Sequence, residues 1–213
     1  MDEKEVLNYS DEETMERIIH LTEELTDFWK SSNGWAPIKG ADLMTKSRLD
    51  WQASLARTLR FFKCDTAQKE EGVLILAWTT LGSLVEGVMK LFLSVWYDEY
   101  EYTINKTILK GFKDDKGDLI EPDGLMLEKL RLFFDKEVYP SDIQKIWKKE
   151  GRLNVVEWVK KILYKLNAIH AYKHRDIETF KEFFSDLKNF LIFMRRLTDT
   201  FPYPDDLYKP TEI

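Results

Sequence analysis

The sequence predicts an all-α protein, a bundle of helices. Three observations predict it. Apolar residues recur at helical spacing through most of the chain. Ser10–Glu13, Ser141–Gln144 and Thr179–Glu182 read as capping boxes, in which a hydroxyl and a carboxylate or amide three residues on satisfy the first amides of a helix. The stretch Val73–Trp96 is apolar on nearly every side, as befits a helix enclosed by others.

The first capping box opens a helix to about Lys30, with Met15, Ile18, Ile19, Leu21, Leu25 and Phe28 on its apolar side. Ser31-Ser32-Asn33-Gly34 ends it, and Pro37 and Gly40 argue against helix before Leu43. A second helix is expected over Thr45–Phe62, from the spacing of Leu49, Ala53, Ala56 and Leu59. A third, central one is expected from about Ala67 to Tyr97. Glu86, Lys90, Thr79, Thr80, Gly82, Ser83 and Gly87 interrupt its apolar run, which fits a buried core helix and no membrane span.

Residues 98–123 change character. Thr103–Leu109 is β-prone and Asp114-Asp115-Lys116-Gly117-Asp118 is a turn signal, so a short hairpin or an irregular loop is expected. A short helix over Leu125–Phe134 follows. Another starts at Ser141, with Ile143, Ile146 and Trp147 as its apolar side, and Gly151 breaks it. Val155, Val159, Ile162 and Leu166 mark the next. The last starts near Ile177, with a stripe from Phe180 through Phe183, Leu187, Phe190 and Met194 to Leu197. The expected organisation is a set of N-terminal helices over 1–66 packed on a core over 67–205, with an insertion at 98–150 and a tail at 206–213.

Composition narrows the function classes. With 213 residues, 44% hydrophobic, the chain can bury a sizeable core. Its net charge of -6 gives no global attraction to nucleic acid. Charge is uneven, however: residues 1–30 carry ten acidic and three basic side chains, residues 141–175 three acidic and nine basic. The basic block suits a local phosphate-binding surface. The single cysteine, Cys64, excludes an intramolecular disulfide and a Cys-rich zinc site. The acidic start Met1-Asp2-Glu3-Lys4-Glu5 lacks the apolar region of a signal peptide, so a cytoplasmic location is expected.

The stretch Lys165–Asp176 gathers two of the three histidines, an amide, three cations and a carboxylate between two apolar helices. His170 follows Leu163 by seven residues and so stands at the edge of a buried stripe. It reads either as a core histidine satisfied by a hydrogen bond or as a chemical group with Asn167 on its face. Ala168 and Ala171 are small enough to let a substrate or another backbone approach. His170 and His174 have the spacing of metal ligands, with Asp176 beyond. Lys173 and Arg175 beside them oppose a dication, so no metal is expected. Glycine patterns for a dinucleotide or a P-loop are absent, and no cofactor is expected. On the central helix, Glu86 and Lys90 at i,i+4 read either as an ordinary ion pair or as part of a cleft.

Lys165-Leu166-Asn167-Ala168-Ile169-His170 resembles the Arg-Asn-x-x-x-His type of motif of HEPN domains, and Leu81–Lys90 resembles that family's first core helix with its Glu-x-x-x-Lys pattern. The run from Asn167 to Tyr172, together with Tyr203-Pro204-Asp205, is similar to a bacterial branch of the family. The resemblance covers roughly residues 67–205. It implies an up-and-down helical bundle, a homodimer, and metal-independent endonucleolytic cleavage of RNA in a bacterial defence or toxin–antitoxin setting. It implies His170 as general acid or base, Lys165 as stabiliser of the phosphorane, and Asn167 as the orienting amide. Glu86, Lys90, Lys173 and Arg175 would meet the substrate. Lysine stands at 165 where active members have arginine, and a point charge replaces a planar fork. The alternative is therefore a catalytically inactive helical module that binds an antitoxin, another protein or a nucleotide. In an ideal helix Lys165 and His170 lie about 140° apart. A helix end or a partner chain is needed to join them.

Overall fold

The computed structural model describes residues 3–63, 70–106, 110–135, 153–205 and 208–212. Among these the chain is all-α, with no named strand. Helices α1 (Glu3–Asn8), α2 (Asp11–Ser31), α3 (Ile38–Lys46) and α4 (Leu49–Arg57) precede α5 (Glu71–Val95). Then come α6 (Tyr97–Lys106), α7 (Leu127–Asp135), α8 (Val155–Leu166) and α9 (Phe180–Thr198).

The apolar-all-round helix is the centre of the bundle, as its pattern demands. α5 packs against α3, α4, α7, α8 and α9, while α2 packs on α4 and α9. By length and hydropathy α5 could cross a membrane. Its Trp78, Leu81, Leu84, Val85, Phe92 and Leu93 are instead fully buried among the other helices. One continuous apolar core takes in Val6, Trp29 and Leu59 from the N-terminal helices and Trp78, Phe92 and Phe190 from the later ones. Aromatic edges cross that boundary: Phe62 meets Phe183 at 6.1 Å, and Phe183 meets Trp78 at 5.2 Å. Residues 208–212 return to the bundle, where the Glu212 carboxylate lies between Arg17 and Arg195.

Two capping boxes fall in described residues. Thr179 accepts from the Lys181 amide at 3.2 Å while Glu182 accepts from the Thr179 amide at 3.1 Å. At α2 only half the box forms. Ser10 Oγ accepts from Glu13 N at 3.0 Å, but the Glu13 carboxylate turns forward to Arg17. Ser141–Gln144, Gly151 and Cys64 lie outside the described residues.

Three expectations need correction. Gly40 does not exclude helix; it lies inside α3. A Cβ there would come within 1.9 Å of the Ser94 carbonyl oxygen, so glycine serves the close approach of α3 to α5. The expected helix Thr45–Phe62 is the end of α3, then α4, then a 3-10 turn over Thr58–Phe62; the first break comes where Ser47 is extended and its hydroxyl donates to the Met44 carbonyl. The start of the expected hairpin is α6, in which Tyr97, Tyr100, Thr103 and Ile104 are buried at helical spacing. Burial of that face overrides β-propensity. Only the turn survives as expected. The Asp114 carboxylate accepts from the Lys116 and Asp118 amides, Gly117 takes φ +89°, and Lys113 bridges Leu119.

Candidate functional site

α8 is capped by Asn154, whose side chain accepts from the Glu157 amide, and buries Val155, Trp158, Val159 and Ile162. Its far end is seated on α5 where Leu166 packs over Gly82; a Cβ at Gly82 would come within 2.5 Å of that side chain. The backbone then tightens into a 3-10 turn over Asn167–His170. Ala171 ends the turn in the left-handed region at φ +51°. Residues 172–177 cross to the next helix, and Glu178 is left-handed again at φ +59°, just before the Thr179 cap. A non-glycine residue in that region is disfavoured, and here two of them bracket one loop.

The loop is fastened from below. Trp78 Nε1 donates to the Ile177 carbonyl at 2.9 Å. The Lys165 ammonium, whose residue is only 3% exposed, donates to the Asp176 carbonyl and lies 3.4 Å from the Glu178 carboxylate. One turn earlier, Lys161 lies 3.1 Å from Glu178 and 2.7 Å from Asp186. Burial works against the charge of Lys161, but the hydrogen bond and charge of Asp186 outweigh it and raise its pKa. Asp186 is itself buried and accepts from Trp158 Nε1 at 3.1 Å and from Asn189 at 3.0 Å. Two lysines and two carboxylates thus balance beneath the loop.

Above this network the loop is open to water. His170, Tyr172, Lys173 and His174 are exposed, and Arg175 is half-buried with its guanidinium 5.0 Å from the Tyr164 ring. A groove of about 500 Å³ runs beside them, lined by Glu71 and Ile75 of α5, by Ala168, and by residues 171–178. Ala168 and Ala171 both line it.

The structure separates the six-residue motif into different jobs. Lys165 is buried under the loop; His170 is exposed to solvent. Asn167 donates to the Leu163 carbonyl at 2.7 Å and so serves the helix end. Glu86 and Lys90 pair at 2.8 Å, and both hold the segment before α7: Glu86 accepts from the Leu127 amide, Lys90 donates to the Asp123 carbonyl. Glu86 stands about 16 Å along the helix axis from Ile75. Lys173 and Arg175 do line the groove.

Sequence reasoning missed Lys161, Glu178, Asp186 and Trp78, and weighed His174 only as a metal ligand. Only the i,i+4 spacing of Lys161 and Lys165 hinted at a paired cationic face. Among the described residues, no group of three or more His, Cys, Asp or Glu side chains is placed to hold a metal ion. Compared with family models, curated proteins and solved structures, the chain matches none of them.

Proposed function

We propose that this chain is an RNA-binding protein of HEPN type, which meets single-stranded RNA with the loop 170–175. The observation that carries the reading is Tyr172, whose side chain is 100% exposed beside the exposed cation Lys173 and the exposed His170 and His174. An aromatic ring wholly in water, interleaved with such groups, suits a base stacking on the ring while its neighbours hold the phosphates. The groove past Ala168 and Ala171 leaves room for the strand. A bacterial defence or toxin–antitoxin system is the setting that the resemblance suggests.

The test is fluorescence anisotropy of a labelled single-stranded RNA at two or more salt concentrations. Binding should weaken with salt, by a slope of about -0.7 per phosphate contact, and should fall in Tyr172→Ala. Affinity indifferent to Tyr172→Ala would sink the reading. A stable protein complex with no RNA bound would favour the inactive, partner-binding module.

Cleavage is a second reading, favoured by the exposure of His170 at the end of its turn. Histidine can give and take a proton near neutral pH. Attack of a ribose 2′-hydroxyl on the adjacent phosphate would break the P–O5′ bond, leaving a 2′,3′-cyclic phosphate on one fragment and, once the leaving oxygen takes up a proton, a 5′-hydroxyl on the other. Within one chain Lys165 and Asn167 are otherwise engaged, so a second copy facing the first would have to complete the site. RNA fragments formed in EDTA by a dimer, and lost in His170→Ala, would support it.

A further inference from the structure

We propose that Glu178 is a built-in anion occupying a phosphate site, and that a phosphate group displaces it from Lys165. Lys161 has a second carboxylate, Asp186, at 2.7 Å. Lys165 has Glu178, at 3.4 Å, and a backbone carbonyl. Without the Glu178 carboxylate, two ammonium groups one helical turn apart would face a single acid.

Position supports the same reading. The Glu178 side chain is 29% exposed and its residue lines the groove, whereas the Lys165 side chain is 4% exposed. Glu178 therefore stands between the groove and the buried cation. Lys173 and Arg175 line the same groove. A phosphate entering there would replace the Glu178 carboxylate beside Lys161 and Lys165 with a group of more oxygens and equal or greater charge. The backbone favours release as well. Ala171 and Glu178 both hold left-handed φ values, so a Glu178 side chain that leaves Lys165 lets the backbone there relax while the Trp78 bond keeps Ile177 in place.

The inference deepens the RNA reading, on which it rests only for the source of the phosphate. Two probes separate the two ideas. The first is inorganic phosphate, read as the melting temperature against chloride of equal ionic strength. Glu178→Gln should gain about 3 °C more from phosphate than the wild type does, because the vacated site binds it. Glu178→Gly removes the carboxylate and suits φ +59°, so it serves if the glutamine variant folds poorly. Adding Lys165→Met to either variant should cancel the gain. Equal phosphate responses in wild type and both Glu178 variants, or a gain that survives Lys165→Met, would overturn the proposal.

The second probe is labelled single-stranded RNA. Glu178→Gln should bind it about tenfold more tightly, with a salt slope steeper by about 0.7, the increment of one further phosphate contact. A phosphate gain with no change toward RNA upholds the site and assigns it to a small phosphate compound. RNA binding that needs Tyr172 but ignores Glu178 in both assays upholds the RNA reading and removes the inference.

Discussion

The indole of Trp78, on the central helix, donates to the carbonyl of Ile177, ninety-nine residues away in sequence, at 2.9 Å. This bond ties the loop of the candidate site to the central helix of the bundle. Phe183 packs edge-on against the same indole, so the loop inherits the rigidity of the core.

Trp78→Phe keeps much of the apolar volume and removes the donor. It should cost about 1–3 kcal/mol, mostly from the carbonyl left unpaired, read as a lower midpoint in urea unfolding. Amide hydrogen exchange should rise in residues 172–178 more than elsewhere. Uniform exchange changes along the chain would show that the bond does not hold the loop.

Tyr172→Ala should leave stability within about 0.5 kcal/mol of the wild type, since the ring touches water alone. Its affinity for single-stranded RNA should drop about thirtyfold, the middle of what one stacked base contributes. Calorimetric unfolding and an RNA titration of the same preparation check both halves.

Gly40→Ala places a methyl group where the Ser94 carbonyl oxygen already is, 1.9 Å from the new Cβ. Backbone cannot yield as a flexible side chain does, so α3 must move off α5. A loss of about 1–3 kcal/mol in denaturant unfolding is expected. Gly34, with nothing within 4 Å of its Cβ position, should tolerate alanine and serves as the control.

Asp50 offers a pH test. The hydrogen bond from Arg48, aided by the charge of that guanidinium, pulls its carboxyl from an ordinary 3.8 to about 2. A depressed carboxyl contributes stability above its unfolded value and loses it as pH falls through the folded one. The contribution of Asp50 should thus be complete above about pH 4 and vanish toward pH 2. Carboxyl carbon shifts followed by NMR should place its midpoint near 2 and return it toward 3.8 in Arg48→Gln.

Much of the fold was legible because helices advertise themselves locally. The stripes of α2, α8 and α9 and the Thr179 cap involve residues three or four apart, which a sequence displays directly. α6 was misread because its burial is a tertiary fact, invisible in the β-prone letters of Thr103 and Ile104. Gly40 was misread for a similar reason: its role is set by Ser94, over fifty residues on. The candidate site was legible in place and not in wiring. Lys165, Asn167 and His170 are neighbours in sequence, yet a left-handed residue at Ala171 and a carboxylate at Glu178 decide which way each one works. No spacing rule announces that Lys165 faces inward.

The continuous core also decides how the protein can be handled at the bench. A fragment beginning near residue 67 would strip Trp29, Leu59 and Phe62 from the apolar faces they cover, since all three share the core with Trp78 and Phe183. Such a fragment should emerge from cells as insoluble material. Crystallography, display libraries or activity screens would therefore start from the full 213 residues and place any cut or insertion in exposed turns such as Asp115–Gly117.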